Sequence, residues 1–454
     1  MEQQREQWSS KIGFILAAAG SAIGLGNIWK FPYIAGENGG AAFIFIYLIC
    51  IAIIGLPVLI GEILIGRTTQ LNPVGAFKKL SGSSFWSAIG GMGVIAGFAI
   101  LSFYGVVAGW SMGYFVESVR GSFFDYTEVS GVGEHFNSLT ANVFWGIGFL
   151  ALFMFTTMII VYAGVQKGIE RGSKILMPVL FIILLILMFI GISLEGSSKG
   201  LSFLFEPDWG NVTGHSVLVA LGHAFFTLSL GMGAMMTYGS YMSKKDNVPV
   251  AALQIVFLDT IIAIIAGVCI FTVVFATNQD PAAGPGLIFQ TLPIVFTQMP
   301  GGYLFSILFF LLLTIAALTS AISLLEVVVA YFVDERGWNR HRAVIVFGSI
   351  IFLLGVPCAL SYNVMSDVKL FGLNFFDLID FIASNILLPL GGLFIAVFVG
   401  WVWGFDKVVV TLKEGAEKLF EKHAWLMPTW KIFLKYFAPI LIFIVFLSSI
   451  GLLG

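Results

Sequence analysis

The chain has 454 residues, 58% of them hydrophobic and 11% charged, with a formal net charge of −2. A soluble protein carries about 25% charged residues, so this composition excludes an ordinary soluble domain and defines a polytopic membrane protein. No basic patch interleaved with aromatics is present, which argues against a nucleic-acid partner.

A window of about 20 apolar residues crosses a bilayer. On that basis the chain divides into eleven helical spans, at about 11–35, 40–66, 86–119, 142–164, 174–195, 217–241, 249–276, 301–333, 343–360, 375–404 and 431–453. The expected fold class is therefore an all-α integral membrane protein. The first apolar run lacks a basic lead and a small-residue cleavage site, so no cleavable signal is expected. At its centre stands Gly20-Ser-Ala-Ile-Gly-Leu-Gly-Asn27. Gly costs about 1 kcal/mol against Ala inside a helix. A break at that depth is tolerable only where the freed backbone groups are buried in protein or bind something. The sixth run carries a second interruption, Ser229-Leu-Gly-Met-Gly233. Two broken helices at corresponding places mark an inverted-repeat secondary transporter whose site lies at the breaks. The expected division is one transporter domain over 1–404, with repeats at about 11–195 and 217–404. A connector and an extra eleventh helix follow over 405–454.

All but four of the 23 basic residues fall on one side of this topology, the exceptions being Lys30, Arg120, Lys199 and Lys369. The positive-inside rule puts the N-terminus in the cytoplasm and the C-terminus outside; the resemblance to bacterial proteins described below implies a bacterial inner membrane. Two readings stand for the outer segment 278–300, which begins Asp280-Pro-Ala-Ala-Gly-Pro-Gly286: a short hairpin over an outer vestibule, or an amphipathic surface loop. Two also stand for Lys167-Gly-Ile-Glu-Arg-Gly172 before Pro178. One is a helix end that unwinds and admits water from inside; the other is a loop leading to a helix N-terminus. Cys50, Cys269 and Cys358 lie in apolar runs and read as small core residues. The five histidines show no metal-ligand spacing, and His223 reads as a packing residue.

Half-helix N-termini attract carboxylates, and freed carbonyls attract cations. Asn27, Thr227, Ser229, Thr319 and Ser320 add neutral side-chain oxygens near the breaks or in the eighth span. Any one Ser or Thr in a membrane helix commonly bonds its own backbone; their clustering is what suggests a sodium site. Asp259, inside the seventh span, is expensive there, at about 2.5–3.5 kcal/mol. It calls for a nearby cation or for a proton shared with a neighbouring helix. Glu62, deep in the second span, is expected to bond backbone groups near a break.

Trp8, Gly20-x-Ala22-x-Gly-Leu-Gly-Asn27, Phe31-Pro32, Glu37-Asn-Gly-Gly40, Lys167-Gly-Ile-Glu-Arg171, Phe226-Thr-Leu-Ser-Leu-Gly231 and Leu318-Thr-Ser320 together resemble the neurotransmitter:sodium symporter family. The likeness runs from Arg5 to about Gly404 and is strongest to bacterial amino-acid members. It implies five plus five inverted repeats with broken first and sixth helices, and two sodium sites. The first site would use Ala22, Asn27, Thr227 and Asp259; the second Gly20, Ile23, Ala316, Thr319 and Ser320. It implies a substrate carboxylate on the Leu25 and Gly26 N–H groups and Tyr104. The amine would meet Ala22, Phe226, Thr227 and Ser229, and the side chain would lie among Ile100, Phe226, Met232, Ser320 and Leu324. Position 24 is Gly, where monoamine members resemble one another in having Asp; this favours an amino-acid substrate. Met232 stands where a leucine-transporting member has Phe, so large apolar and aromatic side chains are expected to fit. Asp259 would supply the negative charge that chloride supplies in other members, implying chloride independence.

Two charge pairs are expected as gates. Arg5 would meet Asp334 on the inner side, with Trp8 plugging the pocket beneath, and Lys30 would meet Asp380 on the outer side. The alternative is solvated end charges. An aromatic lid of Phe225, Phe226 and Tyr104 is expected, although helix packing explains Phe225 as well. The expected activity is sodium-coupled symport of neutral hydrophobic and aromatic L-amino acids by alternating access. A proton-coupled carrier of similar fold is the competing reading, against which Asn27 and Thr319-Ser320 argue. A channel would need an uninterrupted polar pore or a carbonyl filter, and an enzyme a nucleophile–base or metal constellation; the sequence offers neither.

Overall fold

The first apolar run does not form one helix. In the computed structural model, which describes residues 5–282 and 284–453, it runs helically over Lys11–Ala22 and then breaks. It resumes as a π-helical turn over Gly26–Lys30, continued by an α-helix over Phe31–Glu37, and the two halves are bent by 49°. Among the described residues, nine other helices are long and apolar enough to cross a membrane: Ala41–Thr69, Ser84–Arg120, Val143–Tyr162, Val165–Ser193, Val248–Ala276, Gly302–Arg336, Arg340–Leu360, Phe375–Val402 and Leu426–Ser449. These correspond to the second to fifth and seventh to eleventh expected spans. The sixth consists of two shorter helices, Gly214–Thr227 and Ala234–Gly239, separated by a non-helical stretch. Its halves fall below the length that a span requires, so it escapes a count by length.

The sixth-span break is built from residues with positive φ: Ser229 at 53°, Gly231 at 85° and Gly233 at 78°. Glycine takes such angles at no steric cost. Gly231 also has no room for a side chain, because a Cβ there would lie 2.4 Å from the Leu388 carbonyl oxygen of the tenth span. Gly391 faces it from the other side, where a Cβ would lie 2.2 Å from the Gly231 carbonyl oxygen. The tenth span thus rests directly on the exposed backbone of the sixth.

The fifth span begins earlier than its apolar run. Residues Val165–Glu170 form a π-helical turn that continues into the helix Arg171–Ser193, with Pro178 inside it. The loop reading of this end is therefore set aside; the segment is helical, in the loosely wound form common at functional sites. In the segment between the seventh and eighth spans, Thr291–Gln298 is a short helix, and Leu287, Ile288, Phe289, Leu292, Val295 and Phe296 are buried. Phe289 packs against Trp29, Trp110, Tyr114 and Phe136, and the Tyr114 hydroxyl donates to its carbonyl at 2.9 Å. An apolar stretch held this way is an inserted cap, not a surface loop; Ala283, within the expected hairpin, lies outside the described residues. The eleventh span touches the sixth and tenth and carries exposed Phe437, Ile440 and Phe443, as a lipid-facing helix does.

Candidate functional site

The break in the first span leaves donors and acceptors that its own helix cannot satisfy. Ile23 N–H closes the first half-helix on the Ala19 carbonyl at 2.7 Å. Beyond it, Gly24 N–H donates to Asn27 Oδ1 at 3.1 Å, and Leu25 N–H to the Tyr104 hydroxyl at 3.3 Å. On the carbonyl side, the Ser229 hydroxyl donates to Ser21 O at 2.8 Å and the Ser320 hydroxyl to the same oxygen at 3.1 Å. The freed backbone groups are thus held by Asn27 of the same span and by side chains of the third, sixth and eighth spans, as a break within a bilayer requires.

Two oxygen clusters flank this point. In the first, the Asp259 carboxylate, 0% exposed, accepts from Asn27 Nδ2 at 2.8 Å and from the Thr227 hydroxyl at 3.1 Å. In the second, the Thr319 hydroxyl donates to Ala316 O at 2.9 Å and lies 3.4 Å from Ile23 O. The Ser320 hydroxyl lies 3.4 Å from Gly20 O and 3.5 Å from Ile23 O. This second set is made entirely of neutral carbonyl and hydroxyl oxygens, the donors that suit a small hard monovalent cation. The first set adds one carboxylate, towards which Asn27 turns its amide nitrogen while its amide oxygen accepts from Gly24 N–H.

Between the clusters lies a cavity of about 30 Å³, bordered by Ala22, Leu25, Gly26, Ile100, Tyr104, Phe226, Thr227, Ser229, Met232, Ser320 and Leu324. All eleven residues expected around a substrate are thereby brought together. Ser21 lines it too, which the sequence reading did not place there, and so does Gly24, whose missing side chain that reading used to favour an amino-acid substrate. Ser21 hides in a helical run of small residues, and only its carbonyl's role at the break would have exposed it. At Gly24 a Cβ would lie 2.4 Å from Ser320 Oγ and 2.9 Å from the Tyr104 hydroxyl; glycine is what lets these two hydroxyls approach the break.

Glu62 does bond a break: its Oε1 accepts from Gly231 N–H at 2.6 Å. His223 stacks against Phe31 and packs on Tyr47, with neither ring nitrogen hydrogen-bonded among the described residues. Phe225 packs into the tenth span, where a Cβ at Gly392 would lie 1.8 Å from its ring, and so belongs to helix packing rather than to a lid.

At the end of the bundle that carries the start of the chain, the expected inner gate is formed: Arg5 makes an ion pair with Asp334 and donates to Ser240 Oγ at 2.7 Å. Burial opposes the charge of Arg5, but neighbouring Tyr241 and Asp334 outweigh it and hold its pKa above the ordinary value. Trp8 lies beneath, its indole N–H donating to Tyr238 O at 2.9 Å and its ring edge-on to Tyr238 and Tyr241. A second inner pair was not foreseen. Arg340 bonds both oxygens of buried Glu326, at 3.0 and 2.5 Å, and the Tyr241 hydroxyl donates to Glu326 at 2.5 Å.

The second expected gate, Lys30 with Asp380, departs from expectation. Among the described residues no ion pair joins Lys30 to Asp380. The Lys30 ammonium instead lies over the Phe226 ring, 4.4 Å from its centroid, while Asp380 accepts from Ser384 Oγ at 2.6 Å. Each of the two charges is met by a neighbour instead of by the other: the ammonium by the electron-rich face of Phe226, the carboxylate by the Ser384 hydroxyl.

This chain matches the model of the sodium:neurotransmitter symporter family over residues 5–130 and 140–453. It is 43% identical to the uncharacterized sodium-dependent transporter YhdH of Bacillus subtilis, covering 100% of this chain and 99% of the relative. It is 35% identical to an uncharacterized sodium-dependent transporter of Haemophilus influenzae, covering 99% of each. The crystal structure of MhsT in complex with L-phenylalanine superposes with a TM-score of 0.88 at 48% identity, over 98% of this chain and 100% of that one. The chain belongs to the sodium:neurotransmitter symporter family, and its activity class is sodium-dependent transport across a membrane, not enzymatic catalysis.

Proposed function

We propose that this protein is a sodium-coupled symporter of neutral hydrophobic and aromatic L-amino acids, independent of chloride and working by alternating access between two inverted repeats, at about 11–195 and 217–404. The observation that carries the reading is the cavity between two broken helices, with an oxygen cluster on either flank. A zwitterion matches it. Its carboxylate meets the N–H end at Leu25 and Gly26 and the Tyr104 hydroxyl; its amine meets the carbonyl ends at Ala22, Phe226 and Thr227, with Ser229. Ile100, Phe226, Met232 and Leu324 surround the side chain, and among the described residues none that borders the cavity is charged, which disfavours acidic and basic substrates. The binding of L-phenylalanine by MhsT supports the same substrate class.

Two sodium ions are the co-transported cargo. One is held by Ala22, Asn27, Thr227, Asp259 and the substrate carboxylate, the other by Gly20, Ile23, Ala316, Thr319 and Ser320. Because the substrate completes the first sodium shell, each ligand tightens the other. Asp259 carries the fixed negative charge that makes chloride unnecessary. The protein sits in the bacterial inner membrane with its N-terminus inside and its C-terminus outside.

The test is a competition series of the twenty amino acids against labelled phenylalanine in proteoliposomes, with sodium or choline. Leucine-, tryptophan- and phenylalanine-sized substrates should compete only in sodium, and replacing chloride with gluconate should leave uptake unchanged. Binding that persists in choline would end the coupling claim. Uptake driven by a proton gradient without sodium would favour the proton-coupled reading instead.

A further inference from the structure

The seam between the tenth and eleventh spans collects aromatic rings and lysines at one end. Each span loosens there into a π-helical turn, Phe398–Val402 in the tenth and Phe433–Phe437 in the eleventh, and the two turns touch. Gly400 allows the contact, since a Cβ there would lie 3.2 Å from Lys435 Cα. The Trp401 indole N–H donates to Lys435 O at 3.1 Å, and its ring stands edge-on to Tyr436. Buried Trp430 packs against Phe405 and donates from its indole N–H to Pro57 O of the second span at 3.1 Å. Two ammonium groups sit on this frame. Lys435 Nζ lies 4.0 Å from the centroid of Trp401, and Lys431 Nζ lies 4.8 Å from that of Phe405. Both lysines of the eleventh span thus turn towards the end of the tenth.

Among the described residues neither lysine takes part in an ion pair. Around them Trp401, Val402, Trp425, Ile432, Tyr436 and Phe437 are exposed. Exposed tryptophan and tyrosine mixed with lysine mark the headgroup level of a bilayer. A lysine at that level runs its stem along apolar surface and holds its charge at the interface. The exposed Lys418 and Lys422 of the preceding connector have no ring beneath them among the described residues; such charges attract an anionic surface only diffusely. Lys431 and Lys435 differ because the rings fix their heads before any anion arrives, so less side-chain freedom is lost on binding. Two fixed positive charges beside an exposed apolar flank match a ligand with a phosphate at one end and acyl chains at the other. A soluble anion would satisfy the charges and leave the flank uncovered.

We propose that this seam binds one anionic phospholipid, its phosphate on the Lys431 and Lys435 ammonium groups and its acyl chains along the exposed flank of the eleventh span. The test titrates full-length protein in detergent with phosphatidylglycerol or phosphatidylcholine of the same acyl chains and counts bound lipid by native mass spectrometry. One phosphatidylglycerol should bind about tenfold more tightly than phosphatidylcholine. Lys431→Gln/Lys435→Gln should lower the phosphatidylglycerol affinity about five- to thirtyfold, as expected for two lysines at a charged surface, and leave phosphatidylcholine unchanged. Lys418→Gln/Lys422→Gln removes the same charge from the connector and should shift the affinity by less than about twofold. Lys431→Arg/Lys435→Arg should keep binding, because a guanidinium also seats on an aromatic face. Trp401→Leu should weaken it about threefold by freeing the Lys435 head. Thermal transitions in phosphatidylcholine vesicles check that the variants are folded. Equal loss in the two glutamine pairs, or equal affinity for the two lipids, would overturn the proposal. Displacement of the lipid by inorganic phosphate would overturn it as well, by showing that the lysines take a soluble anion.

Discussion

Lys30 shows how a single ammonium chooses among neighbours. It is committed to the face of Phe226, a residue that also borders the cavity. A cation–π contact of this kind is worth about 0.5–2 kcal/mol. Lys30→Met should therefore raise the KM for phenylalanine about three- to tenfold, and Phe226→Leu should do likewise, whereas Asp380→Asn should change it less than either. Uptake kinetics for the three variants decide the order; a dominant effect of Asp380→Asn would restore the ion-pair gate. Asp259 poses the opposite case, a carboxylate with two neutral partners and no cationic side chain bonded to it among the described residues. Removing its charge by Asp259→Asn should weaken sodium activation about tenfold or more, the worth of a charge-assisted contact. It should also make uptake respond to chloride, which flux measured in gluconate will reveal.

The breaks are held by close backbone approaches, and these are the places where a methyl group should do most harm. Gly231→Ala meets both a positive φ and the Leu388 carbonyl, and Gly391→Ala meets the Gly231 carbonyl. Each should lower stability by about 1–3 kcal/mol, as overpacking and strain do, visible as an earlier thermal transition. Gly24→Ala differs because its Cβ would press on two hydroxyls at the cavity wall, not on backbone. It should fold and yet lose phenylalanine binding, so thermal stability and binding separate the two kinds of glycine. Both breaks were legible in the sequence because glycine, serine and asparagine have no local reason to occupy the middle of a hydrophobic helix. The fifth-span turn was only half legible: its glycines announced weakness, but its partners Ser9 and Ser10 lie some 160 residues away, and nothing in a linear pattern connects them. The Glu326–Arg340 pair escaped for a related reason. Arg340 looked like an ordinary loop cation on the inner side, and only folding turns it towards the buried carboxylate of the preceding span.

Across the whole molecule the two faces are closed unequally. The face that the proposed topology puts inside has the Arg5–Asp334 pair, Trp8 beneath it, the Glu326–Arg340–Tyr241 cluster and the bonds of Glu170 to Ser9 and Ser10. A cavity of about 550 Å³ approaches from the inner side and ends at Arg5, Tyr241 and Asp334. The outer side has Phe226 with Lys30 on its face and the inserted cap around Phe289. Under the alternating-access reading proposed above, such an imbalance sets which face opens more readily, and the apparent Kd scales inversely with the fraction of molecules in the binding-competent state. Arg5→Ala removes the inner ion pair and leaves Asp334 with the donors of Asn72. Loss of about 1–2 kcal/mol on the inner side moves the equilibrium by about five- to thirtyfold. The expected outcome is faster labelling from inside of a cysteine placed at Ala18, which is 0% exposed, in a background lacking the three native cysteines. Phenylalanine affinity measured from outside should weaken in the same variant. Asp334→Asn should behave alike, and the double variant should add little, because the two side chains act as one contact. Additive effects, or labelling as slow as in the unmodified protein, would show that Trp8 and the Glu326 cluster hold the inner face closed without help from the Arg5–Asp334 pair.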